Sequence, residues 1–353
     1  MKITLTKSPK AKPDFGKLGF GKYFTDHMLV MDYIADKGGW QEIEIIPYDE
    51  FKLEPSTTVL HYAQGIFEGA KAYKDKAGNV TVFRIDENFK RMNKSAERLC
   101  MPALDSKKVI DALFELLKIE KDWIPTESGT ALYIRPTMIG TDKTLGVHAS
   151  HDYKFYIILS PVGAYYAHGL APTKIYIEDF YTRAALGGTG EAKCMGNYAT
   201  SLKAGEEAHK KGFDQVLWLD AQEKKYVEEV GSMNMFFVID GVVVTPMLNG
   251  SILPGITRKS AIEVLKDAGY KVEERRVSVE ELIKANADGK LDEAFGTGTA
   301  AVISPVGQIT YKGQDMIING GNMGKITEFL YDKITGIQTG RYEDTKGWVV
   351  KVC

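Results

Sequence analysis

Strand-like segments in this chain arrive in succession, without a helix between each pair, and that order restricts the fold more than any other feature. Strands of a wound parallel sheet must alternate with crossover helices. Here an ordered strand opens in FTDHMLVMDY, and strand-like runs follow at Trp40–Ile46, Gly69–Tyr73 and Val80–Ile85, the last two joined by a turn at Lys74–Asn79. Helices come only afterwards. Asp86 is a fair N-cap for one running through Leu99, and Ser106 begins another reaching Lys121. Two further strands, Ala131–Met138 and Tyr153–Pro161, are rich in Tyr and Ile. The order predicts an α+β domain built on an antiparallel sheet.

The segment VGAYYAHGLAP has the glycine, proline and aromatic mix of a linker, and a chain of 353 residues is long enough for about two domains. The predicted division is residues 1–161, a linker at 162–173, and 174–353. The second domain holds a helix over Tyr198–Lys210, a buried strand at Gln215–Asp220 and a hairpin whose turn is Asp240-Gly241. A helix over Thr257–Ala268 follows ILPGI, a capping box of Ser278 with Glu281 opens the next, and the last spans about Lys325–Ile334. A cleft between two domains is where small ligands prefer to sit.

Composition narrows the function. A net charge of −2 leaves no electrostatic footprint for nucleic acid or an anionic membrane. No apolar run approaches the roughly 18 residues of a spanning helix, and the N-terminus lacks the apolar core of a secretory signal. Cys100, Cys194 and Cys353 are widely spaced and odd in number, which points to a reducing compartment and a cytoplasmic protein.

The chemistry centres on GGTGEAKCMGNY, Gly187 to Tyr198. A lysine taken alone is usually a solvated charge. Lys193, however, sits among four glycines, which let backbone approach a bulky group, and Ala192 and Met195 give its amine a partly apolar wall. A desolvated lysine beside another cation becomes a nucleophile toward carbonyls. A covalently held aldehyde cofactor is therefore plausible, and Tyr198 could meet its ring.

Anion sites are available. Pro254-Gly255 turns into a helix whose first amides, on Ile256 and Thr257, lack intrahelical partners, and the loop GTGTA from Gly296 to Ala300 offers more. Each taken singly reads equally as a plain helix start or a turn. In YVEEVGSMN, period-two alternation puts Glu228 and Glu229 on opposite faces, so one can face a ligand while the other faces solvent. A carboxylate beside a pyridine nitrogen would keep it protonated. His148 and His151 form the only close histidine pair, and their loop offers no evident third ligand, so no metal site is expected. Neither a phosphate-binding P-loop nor a nucleophile elbow is present.

Taken together these motifs resemble one family. LHYAQGIFEGAKAY, FRIDENFKRMNKSAERL, LYIRPTMIG, SPVGAYY, GGTGEAKCMGNYATS, EEVGSMNMFF, LPGITR and FGTGTAAV are similar, in order and over nearly the whole chain, to the branched-chain amino acid aminotransferases, pyridoxal-phosphate enzymes of fold type IV, in the group that includes the animal enzymes. The resemblance implies a smaller N-terminal α/β domain, a larger C-terminal domain with a pseudo-barrel sheet, pyridoxal 5′-phosphate in the interdomain cleft, and a homodimer.

It also implies residue roles. Lys193 would bond covalently to the cofactor and carry the proton at the substrate's α-carbon. Tyr198 would bond the cofactor's phenolic oxygen and Glu229 its ring nitrogen. Arg91 would bind the phosphate with Ile256, Thr257 and Thr299, and Arg183 would lie on the phosphate side. Phe24, Tyr62, Phe67, Tyr133, Arg135 and Tyr165 would line the substrate pocket, with Ser232, Met233, Thr299 and Ala300 on its other wall. Arg135 is the candidate for glutamate's second carboxylate. One departure stands out: where the animal enzymes carry a redox Cys-x-x-Cys pair, this chain has Ala301 and Ser304, so a thiol switch is not expected. The activity implied is reversible transfer of the amino group of leucine, isoleucine or valine to 2-oxoglutarate. The alternatives are another fold type IV enzyme (a D-amino acid aminotransferase or aminodeoxychorismate lyase) and a non-catalytic pyridoxal-phosphate-binding protein.

Overall fold

The computed structural model describes residues 1–163 and 170–353. The chain divides into two compact units, one of Met1–Ala167, Ala192–Gly196 and Ile337–Cys353, the other of His168–Glu191 and Asn197–Gly336. The first unit therefore gains two stretches that the sequence places beyond residue 174. The reason is strand pairing: Val349–Lys351 returns to pair antiparallel with Val80–Phe83, and Cys194 bridges to Ile66. Of the expected linker, residues 164–169 lie outside the described residues. Its ends are strand, in Tyr153–Val162 and Thr173–Glu178.

The first unit is built on a ten-stranded sheet whose central path runs His27–Ile34, Tyr153–Val162, Ala131–Gly140, Ala70–Lys74, Val80–Phe83. All of these neighbours are antiparallel. Alternation along Ala131–Gly140 separates two environments. Leu132 and Ile134 enter a core with Phe89, Met92 and Leu113, whereas Ala131 and Tyr133 pack on the opposite face with Tyr73 and Val162. Two helices, Ile85–Arg98 and Ser106–Ile119, cover the core face. The first is not capped by Asp86. Arg84 turns the chain with left-handed geometry at φ 49° and takes the N-cap place, so the helix starts at Ile85, two residues earlier than an Asp86 cap implies, and Asp86 becomes a first-turn acid. The expected strand at Trp40–Ile46 is two, Gly39–Trp40 and Glu44–Pro47.

In the second unit the strands Val227–Val230, Gln215–Leu219, Thr173–Glu178, Val302–Tyr311, Leu291–Gly298 and Met233–Ile239 pair in that order. The last pairs back with the first, closing a six-stranded barrel. Closure removes free edges, and it places the Gly298–Val302 turn and the Val230–Met233 turn at strand ends that share neighbours. The hairpin at Asp240-Gly241 forms as expected, both residues having positive φ (51° and 75°). Ser278 caps Val279–Ala287 by accepting from Glu281 N at 3.1 Å, but the Glu281 carboxylate pairs with Arg275 instead of completing the box. The helix expected at Tyr198–Lys210 is broken into Met195–Ala199 and Leu202–Lys210.

Candidate active site

Each unit presents one cluster of the expected residues. In the first, Lys193 is fastened by backbone. Its N–H donates to Ser95 Oγ at 2.9 Å, and its carbonyl accepts from Phe67 N at 3.0 Å. Gly65 allows this approach, since a Cβ there would overlap the Met195 thioether. The half-buried Lys193 ammonium lies 5.2 Å from the centre of the Phe67 ring, and the Arg135 guanidinium lies 4.9 Å from the same ring.

Arg135 and Tyr133 face the same way, and Arg135 Nη2 donates to Tyr133 Oη at 3.2 Å. Gly69 makes room for that hydroxyl, because a Cβ there would overlap it, and Phe20 meets the Tyr133 ring edge-on at 5.0 Å. Arg135 Nε is buried with no hydrogen-bond partner, and no carboxylate among the described residues pairs with this side chain. A half-buried guanidinium on aromatic walls, with its buried Nε donor unmet, has the chemistry to accept an anion. Phe24 stacks on Tyr48 at 5.2 Å, and the Tyr62 hydroxyl donates to the Leu145 carbonyl. Tyr165 lies outside the described residues.

Arg91 is buried on the helix Ile85–Arg98 and gripped by Glu68, with Nε to Oε1 at 2.7 Å and Nη2 to Oε2 at 2.8 Å. Asn88 Nδ2 and Gly69 N also donate to Oε2, at 2.8 and 3.2 Å. Burial is the largest single influence on the Glu68 carboxyl and would raise it, but the charge and hydrogen bonds of Arg91, with Lys193 and Asn88, together hold the group below the usual carboxylate range. Glu68, Asn88 and Ser95 are not among the candidates that the sequence motifs single out. Glu68 had a signal: a lone charge within the apolar run GIFEGA needs a buried cation, and Arg91 lies 23 residues on.

In the second unit Glu229 is 4% exposed and its Oε1 accepts from Leu253 N at 2.8 Å and Asn234 Nδ2 at 3.3 Å. Arg183 Nε stands 3.0 Å from Glu229 Oε2, and its Nη2 donates to the carbonyls of Ser251 (2.6 Å) and Gly190 (3.3 Å). Arg183 is thus the partner of Glu229, because the strand end carrying Glu229 presents a buried charge that must be neutralised. Glu228 also departs from expectation. It is 3% exposed instead of facing solvent: its Oε1 accepts from Ser251 Oγ and, at 3.4 Å, from Asn249 Nδ2, while Oε2 is buried without a partner. Opposite faces of this strand are both covered.

Gly255 must be glycine, since a Cβ there would overlap Asn234 Oδ1. It is also the N-cap of Ile256–Asp267 and offers no side chain to the first amides, so Ile256 and Thr257 form an uncapped helix start suited to an anion. Thr299 and Ala300 occupy the half-buried turn after Leu291–Gly298, Met233 packs beneath Gly296 and Gly298, and Ser232 is exposed. Tyr198 is half-buried at the end of the short helix Met195–Ala199. Taken by itself, the second unit offers a buried carboxylate paired with Arg183 and an uncapped helix start, and the first offers a lysine against an aromatic wall and a buried arginine, groups of the kinds that a phosphorylated pyridine aldehyde calls for.

Comparison with known proteins agrees with this chemistry. The family described as amino-transferase class IV matches residues 65–309. The chain is 54% identical over 352 residues to branched-chain-amino-acid aminotransferase 2 of Bacillus subtilis (strain 168), covering 100% of this chain and 97% of that one. Its fold is similar to the branched-chain amino acid aminotransferase of Escherichia coli, with TM-score 0.75, 30% identity, and 88% and 97% of the two chains covered. It is equally similar to the T.th. branched-chain amino acid aminotransferase solved with pyridoxamine 5′-phosphate, with TM-score 0.75, 29% identity and 96% and 99% covered.

Proposed function

Because the chain belongs to the class IV aminotransferase family, we propose that it reversibly transfers the amino group of L-leucine, L-isoleucine or L-valine to 2-oxoglutarate. The products are the branched-chain 2-oxo acids and L-glutamate. Pyridoxal 5′-phosphate supplies an aldehyde that takes up the amino group and a conjugated ring that accepts the electron pair released at the substrate's α-carbon. The protein's residues do the rest. Lys193 Nζ holds the cofactor covalently at rest and carries the proton to and from the α-carbon. Glu229, paired with Arg183, holds a proton on the ring nitrogen. Arg91, oriented by Glu68, and the amides of Ile256 and Thr257 bind the phosphate with Thr299, and Tyr198 orients the phenolic oxygen.

The substrate pocket is assigned to Phe24, Tyr62, Phe67, Tyr133, Arg135 and Tyr165, together with Ser232, Met233, Thr299 and Ala300. Phe67 and Tyr133 give branched aliphatic chains a stiff apolar wall. The observation that carries the dual specificity is the unmet Nε of Arg135 between these rings, a ready partner for glutamate's far carboxylate. No helix among the described residues is long and apolar enough to cross a membrane. A cytoplasmic homodimer completes the reading, supported by the likeness of the motifs to those of the family.

The test is covalent. Borohydride reduction of the loaded enzyme is expected to fix the cofactor on the peptide containing Lys193, and Lys193→Ala to lose turnover of leucine with 2-oxoglutarate. Label on another lysine refutes the assignment.

A further inference from the structure

The loop joining Ala131–Gly140 to Tyr153–Val162 brings three metal-ligating side chains to one point. Asp142 Oδ2 lies 3.0 Å from His148 Nε2 and 3.0 Å from His151 Nδ1, and the three ligand atoms all lie within 4.8 Å of one another. Ligands around a tetrahedral ion with bonds of about 2.0–2.2 Å stand roughly 3.3 Å apart. Two of the three separations therefore need to open by only about 0.3 Å.

The orientation of His148 makes the cluster more than a group of neighbours. Its Nδ1 lies 2.9 Å from the Gly146 carbonyl oxygen, which can only accept, so Nδ1 carries the ring hydrogen. Nε2 then faces a carboxylate oxygen at 3.0 Å, carrying either a second ring proton or a lone pair open to a cation. Two acceptors so close need a positive charge between them. A backbone carbonyl on the far nitrogen of a histidine is also the usual way a metal ligand is oriented.

The carboxylate is held independently of the imidazoles. Its Oδ1 accepts from Asp152 N at 2.8 Å and its Oδ2 from His151 N at 2.9 Å, while Asp142 N donates to Ser150 Oγ at 3.1 Å. We propose that Asp142, His148 and His151 form a binding site for a divalent transition-metal ion of the zinc class. Two nitrogen ligands and one oxygen favour such an ion over calcium or magnesium, which take oxygen. The exposed histidines leave the fourth position to water. Bound there, the ion clasps the loop whose Leu145 carbonyl takes the Tyr62 hydroxyl. The proposal does not depend on the reaction assigned above.

Its test is zinc chloride titrated calorimetrically into chelator-stripped holoenzyme carrying Cys100→Ser and Cys353→Ser, which remove the exposed thiols. One zinc per chain is expected. His148→Ala and His151→Ala, each at an exposed position that leaves Asp142 and its backbone partners intact, are each expected to weaken binding at least about tenfold. Cobalt(II) in place of zinc is expected to give the visible absorption of a tetrahedral ion. Absence of zinc binding, or binding indifferent to both histidine variants, overturns the proposal and leaves a proton alone between Nε2 and Oδ2.

Discussion

Glu68→Gln isolates the charge that orients Arg91. Both side chains are buried, at 1% and 7% exposure, and glutamine keeps the volume, so no cavity term enters. With its oxygen turned to the three donors at Oε2 (Arg91 Nη2, Asn88 Nδ2 and Gly69 N), the new amide meets Arg91 Nε donor to donor. The reverse orientation sets the amide against all three. The better orientation forfeits one charged hydrogen bond, about 1.5–3 kcal/mol, and leaves the guanidinium without its counter-charge. Breaking a buried pair from one side costs about 3–5 kcal/mol in all.

At about 2.1 cal/mol/K per residue, a loss of about 4 kcal/mol lowers Tm by about 5 °C if the whole chain melts together, and by about 10 °C if the first unit melts alone. Differential scanning calorimetry reads this directly. The sign with pH is set by the depressed carboxyl. The wild-type advantage is fully present above the ordinary carboxylate value of 4.5 and is lost as pH falls through the lower folded value, so the deficit of Glu68→Gln shrinks in acid. Glu68→Gln with Arg91→Met should recover most of the loss, since no buried charge is left unpaired. A shift under about 1 °C, or a double variant worse than both single ones added, refutes the pairing argument.

Other expectations follow from the same contacts. Glu229→Gln lowers turnover by orders of magnitude and Glu228→Gln little, because Glu228 reaches Arg183 only through Ser251; equal losses by steady-state kinetics, or a larger loss for Glu228→Gln, would refute the assignment. Arg135→Met raises the Michaelis constant for glutamate and 2-oxoglutarate far more than for leucine, a loss of about 2–5 kcal/mol of binding. Equal effects in the two half-reactions, followed by stopped-flow absorbance, would make Arg135 a structural brace. Peroxide followed by a thiol reductant leaves activity untoggled, since Cys194 is buried in the core and Ala301 and Ser304 carry no thiol; reversible inactivation that survives Cys194→Ser would reveal another switch.

Local rules made much of this protein legible in its sequence. The succession of strands marks the antiparallel α+β first unit, Asp240-Gly241 forms the hairpin of the second, and the two-residue period sets Tyr133 and Arg135 side by side. Such features depend on neighbours within a few residues, where backbone geometry and alternation leave few choices. The small residues around Lys193 and the turn at Pro254-Gly255 are legible for the same reason. What tertiary structure decided are pairings between distant residues: Glu68 with Arg91, Glu229 with Arg183, and Asp142 with His148 and His151. Alternation could set Glu228 and Glu229 on opposite faces, but not that both faces are covered. A buried charge takes whichever partner the packed strands bring within hydrogen-bond reach, and packing joins residues that no local pattern relates.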